Sequence, residues 1–389
     1  MAVYIRRLHS PIFSKTKPFL LQNHITIPRL YDFRTLSASP PRHSNPNPNP
    51  RTRSLTPLEK QFETWVSRLS PGFTSADVDA ALREQSDPDL ALDVFRWTAL
   101  QPGYRHSPST YHTMLHISVS SRRLSTAESL ISDVLSGACP PDLPLLNSAI
   151  RFCCSHRRLF SRAFDLYRLM LRPSAACRPS LETFSLLLGV LLNRFGKPPI
   201  CYIYLRSVRS LVRQMKTAGI IPDTYTLNLI IKAYAICLDM DEAMRVFREM
   251  ELYECEPNEY TYGYITKGFC EKGLVDRGFG SFTEMRDKGF VPTSSVYMAL
   301  ICSLAMEERF DESIRVLFDM LENSLRPDVL TYRTVLEGMC RGGRTEEAFK
   351  LLEELGSNTR VAFLLRLSCP FAKAQQKRSK KATKVQQKE

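Results

Sequence analysis

The stretch PDTYTLNLIIKAYAICLDMDEAMRVFREMELYECEPN, residues 222–258, decides the fold. It opens on Pro222-Asp223 and closes on Pro257-Asn258, which begins the same text again. Prolines 222, 257, 292 and 327 each stand 35 residues after the last. Pro-Asp-Thr-Tyr-Thr-Leu-Asn at 222–228 is echoed by Pro-Asn-Glu-Tyr-Thr-Tyr-Gly at 257–263 and by Pro-Asp-Val-Leu-Thr-Tyr-Arg at 327–333. A repeat of 20–50 residues marks stacked copies of one supersecondary unit.

Within the unit, Leu227, Leu229, Ile230, Ala233 and Tyr234 follow helical spacing, so a first helix is predicted through them. A break is expected near Cys237–Asp239. Ala243, Val246, Phe247 and Met250 then recur at intervals of three and four and mark one face of a second helix. Pro257 stops propagation upstream of itself. The second-helix stripe recurs as Gly278, Phe282, Met285, as Ser313, Val316, Leu317, Met320, and as Ala348, Leu351, Leu352, Leu355. Ala127, Leu130, Ile131, Val134 and Ala91, Val94, Phe95 carry it upstream. Its first residue is always Ala, Gly or Ser, small enough for two helices to approach closely.

The fold expected is therefore all-α, a right-handed α-solenoid of helix-turn-helix units of about 35 residues. Units occupy 108–142, 143–180, 181–223, 224–258, 259–293 and 294–328, with a partial one at 329–357. Unit 181–223 holds an eight-residue insertion around Phe195–Arg206. A degenerate helical pair is expected over 59–107.

The net charge of +13 is unevenly placed. Residues 1–58 carry nine Lys/Arg against Asp32, and residues 358–389 carry nine against Glu389. The middle is then −3, so the basic pI is no argument for a basic repeat surface. The first 31 residues lack acids and mix Arg6, Arg7, Lys15 and Lys17 with Ser and Phe. That composition reads as an organellar transit peptide, with a merely basic tail as the alternative. The Pro/Asn run at 40–50 reads as an extended linker. Residues 358–389 read as a basic disordered tail.

Eleven cysteines include no CxxC pair. Cys154, Cys270 and Cys340 share one repeat position and read as small apolar filler. No apolar run approaches the roughly 18 residues of a membrane span.

A 35-residue helical pair that ends in Pro-Asp or Pro-Asn and then opens x-x-Thr-Tyr resembles the pentatricopeptide repeat, of the plain P type. The resemblance covers 108–357. It implies organellar RNA binding, with first helices lining a concave face and one base read per repeat. In that family the residue after Thr-Tyr meets the base edge and the residue after the proline assists. On this sequence the pairs are Asn228 with Asn258, which resembles a pyrimidine combination, and Ser185 with Asp223, which resembles a purine one. Asn147 with Ser180 is a pyrimidine candidate, and His112 with Asp142 matches no common combination. Gly263, Met298 and Arg333 depart from the pattern as well. Four residues beyond the reading positions stand His116, Arg151, Lys232 and Lys267, one turn along the same faces. Arg151, Lys232 and Lys267 are the candidates for phosphate contact.

No catalytic chemistry is legible. His112-x-x-x-His116 has metal-compatible spacing, but Thr113 stands where a zincin needs Glu. No phosphate loop and no deaminase signature occur. No catalytic residue, cofactor or metal is expected. Two functions fit. The first is an organellar single-stranded RNA-binding protein acting in transcript processing, stability or translation. The second is a structural adaptor attached to an organellar ribosome or other proteins, without base reading. A monomer without a membrane span is expected, in the mitochondrion, with the chloroplast as the alternative.

Overall fold

The computed structural model describes residues 57–69, 72–195 and 200–355. By its contacts the chain divides into units 1–54 and 55–389, and every described residue lies in the second. The transit-like segment, its linker and the basic tail fall outside the described residues, except that Pro57 and Leu58 open the first helix.

Every regular element described is helical. The stretch 59–107, expected to hold one helical pair, holds three helices: α1 (Pro57–Arg68), α2 (Ser75–Arg83) and α3 (Pro88–Ala99). This corrects the sequence reading. The region lacks the proline that marks unit boundaries elsewhere, so spacing alone did not count its helices. Pairs follow: α4 (Pro108–Ser120) with α5 (Leu124–Ser136), and α6 (Leu143–Ser155) with α7 (Phe160–Met170). Then come α8 (Leu181–Leu192) with α9 (Ile200–Thr217), and α10 (Thr224–Ile236) with α11 (Met240–Leu252). The last are α12 (Glu259–Lys272) with α13 (Val275–Asp287), α14 (Ser294–Met306) with α15 (Phe310–Glu322), and α16 (Val329–Arg341) with α17 (Thr345–Leu355).

Each first helix packs on the first helix before and after it, so α2, α4, α6, α8, α10, α12, α14 and α16 form one continuous row. Each second helix packs on its own first helix and on the next one. Contacts thus run between neighbours, the organisation of a helical repeat solenoid.

The core lies in the seams between helices. Ala243, Met250, Ala127, Leu317 and Met320 are fully buried. The small residue opening each stripe touches its own first helix. A Cβ at Gly278 would come within 2.9 Å of Cys270 Sγ, and the Ser313 hydroxyl donates to the Ile301 carbonyl at 3.0 Å. Tyr262 and Tyr297, the tyrosines four residues into α12 and α14, are buried, yet their hydroxyls donate to Glu284 at 2.8 Å and Asp319 at 2.9 Å. Burial without a partner would cost each phenol its hydration.

The turn between paired helices is itself repeated. Residues 238, 273, 308 and 343 all take positive φ, as Leu238 (58°), Gly273 (78°), Glu308 (61°) and Gly343 (81°). The following amide closes each helix, as Asp239 N to Tyr234 O at 3.0 Å and Arg309 N to Leu304 O at 2.9 Å. The insertion in unit 181–223 lengthens the α8–α9 connection and α9 itself, which has 18 residues against 13 in α11.

Candidate nucleic-acid interface

The residue after the repeat proline starts each first helix. Asp142, Asp223 and Asp328 accept the backbone N–H three residues on, at 3.0, 2.8 and 2.7 Å. Ser180 accepts from Thr183 N at 3.4 Å, and Asn258 accepts from Tyr260 N at 3.1 Å and Thr261 N at 3.2 Å. These are N-cap bonds that satisfy orphan donors of the first turn. Thr293 makes no such bond.

The predicted reading residue sits on the second turn and faces the cap of the next repeat. Asn228 Nδ2 donates to Asn258 Oδ1 at 3.0 Å, and the Thr261 hydroxyl donates to Asn228 Oδ1 at 2.7 Å. A carboxamide has two N–H donors and two acceptor lone pairs. Asn228 therefore keeps one of each.

Asn147 has the same frame and a different outcome. It donates to Ser180 Oγ at 3.3 Å and to Glu182 Oε2 at 2.8 Å, and it accepts from Thr183 Oγ1 at 2.7 Å. Both N–H groups are spent. Arg151 is ion-paired with the same Glu182. Ser185 meets Thr226 Oγ1 at 2.8 Å, and Thr226 in turn donates to Asp223 Oδ1 at 2.5 Å, so Ser185 and Asp223 are joined through a threonine. His112 Nε2 lies 2.9 Å from Ser148 Oγ, and no bond joins it to Asp142 among the described contacts. His116 is exposed.

The other cations differ among themselves. Lys232 Nζ stands 5.3 Å above the Tyr264 ring. Lys267 is half-buried and in no ion pair among the described residues. Lys232, Tyr260, Gly263, Tyr264, Lys267 and Thr293 border a hollow of 290 Å³, also lined by Glu259 and Glu271. Gly263 opens it, because a Cβ there would press on Val296 Cγ2 at 3.2 Å.

Sequence reasoning gave no role to Tyr225 and Tyr260, which stand at the second position of α10 and α12. They are 61% and 54% exposed and flank the Asn228 position from adjacent repeats. The repeated x-Tyr-Thr text was the available signal.

Burial pushes the Cys153 and Cys154 thiols up to about 12 and Cys270 up to about 11. Such thiols are protonated at neutral pH and serve as packing. Among the described residues no cluster of His, Cys, Asp and Glu could hold a metal, and no helix is long and apolar enough to cross a membrane.

Comparisons with known proteins agree with the repeat text. The PPR repeat family model matches residues 222–271, and PPR repeat models match 260–290, 295–325 and 323–355. A mitochondrial pentatricopeptide repeat-containing protein of Arabidopsis thaliana is 56% identical over 237 residues, 60% of each chain. A second mitochondrial one from that plant is 33% identical over 60% of this chain and 53% of its own length. The chain thus spans between half and two thirds of these two relatives. The Arabidopsis small ribosomal subunit protein mL103 is 24% identical over 76% of this chain and 69% of its own. The solved structure of PPR10 in complex with an 18-nt psaJ RNA element aligns at TM-score 0.40 and 21% identity, over 84% of this chain and 56% of that one. Yeast Rmd9p in complex with 16-nt target RNA aligns at TM-score 0.39 and 12% identity, over 80% of this chain and 63% of that one.

Proposed function

From the premise that this chain is a member of the pentatricopeptide repeat family, we propose that it binds single-stranded RNA along the first-helix row. One nucleotide faces each repeat, and the base opposite Asn228 is a pyrimidine. The observation that carries this reading is the half-satisfied Asn228 carboxamide. Asn258 and Thr261 fix its orientation and leave one donor and one acceptor for a base edge. The exposed rings of Tyr225 and Tyr260 supply stacking surfaces on either side. Aromatic stacking is worth about 1–3 kcal/mol per base. Lys232 and Lys267, one turn further along, offer phosphate neutralisation.

The remaining repeats contribute contact without strong discrimination. Asn147 has no N–H left, and Gly263 has no side chain to reach a base. We place the protein in mitochondria, supported by the acid-free leader and by the mitochondrial relatives. There, occupation of a strand would block nucleases or hold it open, which serves processing, stability or translation of a transcript.

A second reading, attachment to the mitochondrial ribosome as an adaptor, is favoured by one observation. Glu182 ties up both Asn147 and Arg151, so the N-terminal repeats present a closed polar seam rather than free reading groups. The ribosomal relative fits that reading. Crosslinking in isolated mitochondria followed by sequencing of attached RNA tests the choice. A footprint on a messenger or precursor supports the reader, and ribosomal RNA alone supports the adaptor.

A further inference from the structure

α9 departs from its fellow second helices in charge. It carries Arg206, Arg209, Arg213 and Lys216 and no Asp or Glu. α5, α11, α13, α15 and α17 each hold more acids than bases. Two of the four cations are neutralised by α11 and its cap, as Arg209 to Asp239 at 2.6 Å and Lys216 to Glu249 at 3.0 Å. Arg206 and Arg213 are exposed and in no ion pair among the described residues. They lie two turns apart on one face.

The start of α9 is pinned to the turn before α7. The Tyr204 ring meets Phe160 edge-on at 6.2 Å and stacks on Phe195 at 6.2 Å. The Arg194 guanidinium lies 4.6 Å over Phe160 and donates to the Arg157 carbonyl. These contacts bring exposed Arg157 and Arg158 to the same edge as Arg206. Tyr202 and Ile203 lie between them, 53% and 67% exposed. The nearest acid on α7, Asp165, is paired with Arg168 at 2.8 Å.

This edge stands at the C-terminal ends of α6 and α8. Asn147 and Ser185 stand near the N-terminal ends of those helices, about 10 Å away at 1.5 Å rise per residue. A strand on the reading row does not cover it.

We infer that this edge, with Arg157, Arg158, Arg206 and Arg213, binds the phosphate backbone of folded, double-stranded RNA. Guanidinium groups match phosphate oxygens bidentately. Duplex RNA is held by backbone and shape rather than base edges, and no Asn or Gln on the edge reads a base. A tyrosine and an isoleucine exposed among cations suit the ribose-lined minor groove. The site is separate from base reading at Asn228, since a duplex offers that row no free Watson–Crick edge.

The test uses the full chain, with Arg206→Glu/Arg213→Glu, the charge-keeping Arg206→Lys/Arg213→Lys, and Arg158→Glu, which lies outside α9. Three probes are compared: a blunt RNA duplex, a single strand with the base preferred at Asn228, and polyglutamate. The Glu pair should weaken duplex binding about tenfold and lower the salt slope by about two, as two lost phosphate contacts require. Arg158→Glu should weaken it in the same direction, and the Lys pair should bind within about threefold of wild type. Base preference at Asn228 should stay unchanged. Unaltered duplex affinity in both Glu variants overturns the inference. Polyglutamate bound as tightly as duplex, and lost in the same variants, overturns the RNA assignment in favour of an acidic protein partner.

Discussion

Asn228 and Asn258 hold each other across a repeat boundary. The Asn228 Nδ2 donates to Asn258 Oδ1 at 3.0 Å, and the same Asn258 oxygen caps α12 through the backbone amides of Tyr260 and Thr261. One carboxamide thus starts a helix and orients the reading group of the repeat before it. Stability and base discrimination are coupled at this point. Asn258→Ala should cost about 0.5–2 kcal/mol through the lost cap. It should also flatten the pyrimidine preference at Asn228. Thermal melting and single-site RNA binding on the same variant check both halves.

Ala243 touches its own first helix with no exposed surface. Ala243→Trp should wedge α10 from α11, since overpacking typically costs about 1–3 kcal/mol. A clear drop in melting temperature is expected.

Glu308 holds the left-handed turn that Gly273 and Gly343 occupy in neighbouring repeats. An L-residue is disfavoured there by roughly 1–2 kcal/mol, partly offset by glycine's larger unfolded-state entropy. Glu308 is exposed, so its side chain contributes little packing. Glu308→Gly should raise stability by up to about 1 kcal/mol, while Glu308→Val should lower it. Denaturant midpoints of the two variants should move in opposite directions.

His106 is buried, stacked on Phe95 at 3.8 Å, with Nε2 2.9 Å from the Phe95 carbonyl and Nδ1 3.2 Å from the Tyr104 hydroxyl. A carbonyl only accepts, so Nε2 carries the proton and the ring is neutral. Burial lowers its pKa below the ordinary 6.5, against a smaller opposing effect of the Phe95 bond. The unfolded chain then binds the extra proton first. Stability from this site is complete above about 6.5 and declines as pH falls from there towards the depressed folded value. Hydrogen exchange of α3 and α4 should accelerate between pH 7 and 5, and His106→Gln should remove that dependence.

The repeat architecture was legible because it rests on periodicity. Pro222, Pro257, Pro292 and Pro327 mark helix starts, and the stripe beginning at Ala243 marks a packing face. Residues 59–107 lack that proline, and there the text did not reveal a third helix. The site was legible in position but not in partnership. Spacing put Asn147 and Arg151 on one face, but could not show that Glu182, from the next repeat, engages both. Side chains that meet across a boundary are set by packing between units rather than by pattern within one. Tyr225 and Tyr260 were hidden for the opposite reason, as an aromatic at helical spacing looks like core until its exposure is known.

The most direct measurement is the base preference of the full chain in single-site RNA libraries at fixed salt, wild type against Asn228→Thr. Salt must be fixed because the basic ends add unspecific affinity. The account predicts a pyrimidine preference at one nucleotide that shifts towards adenine in the variant, since the shorter side chain beside Asn258 leaves room for a purine. The mismatch penalty should be about 1–3 kcal/mol. Wild type with no base preference at any position, and a variant indistinguishable from it, would contradict base reading and leave the adaptor role.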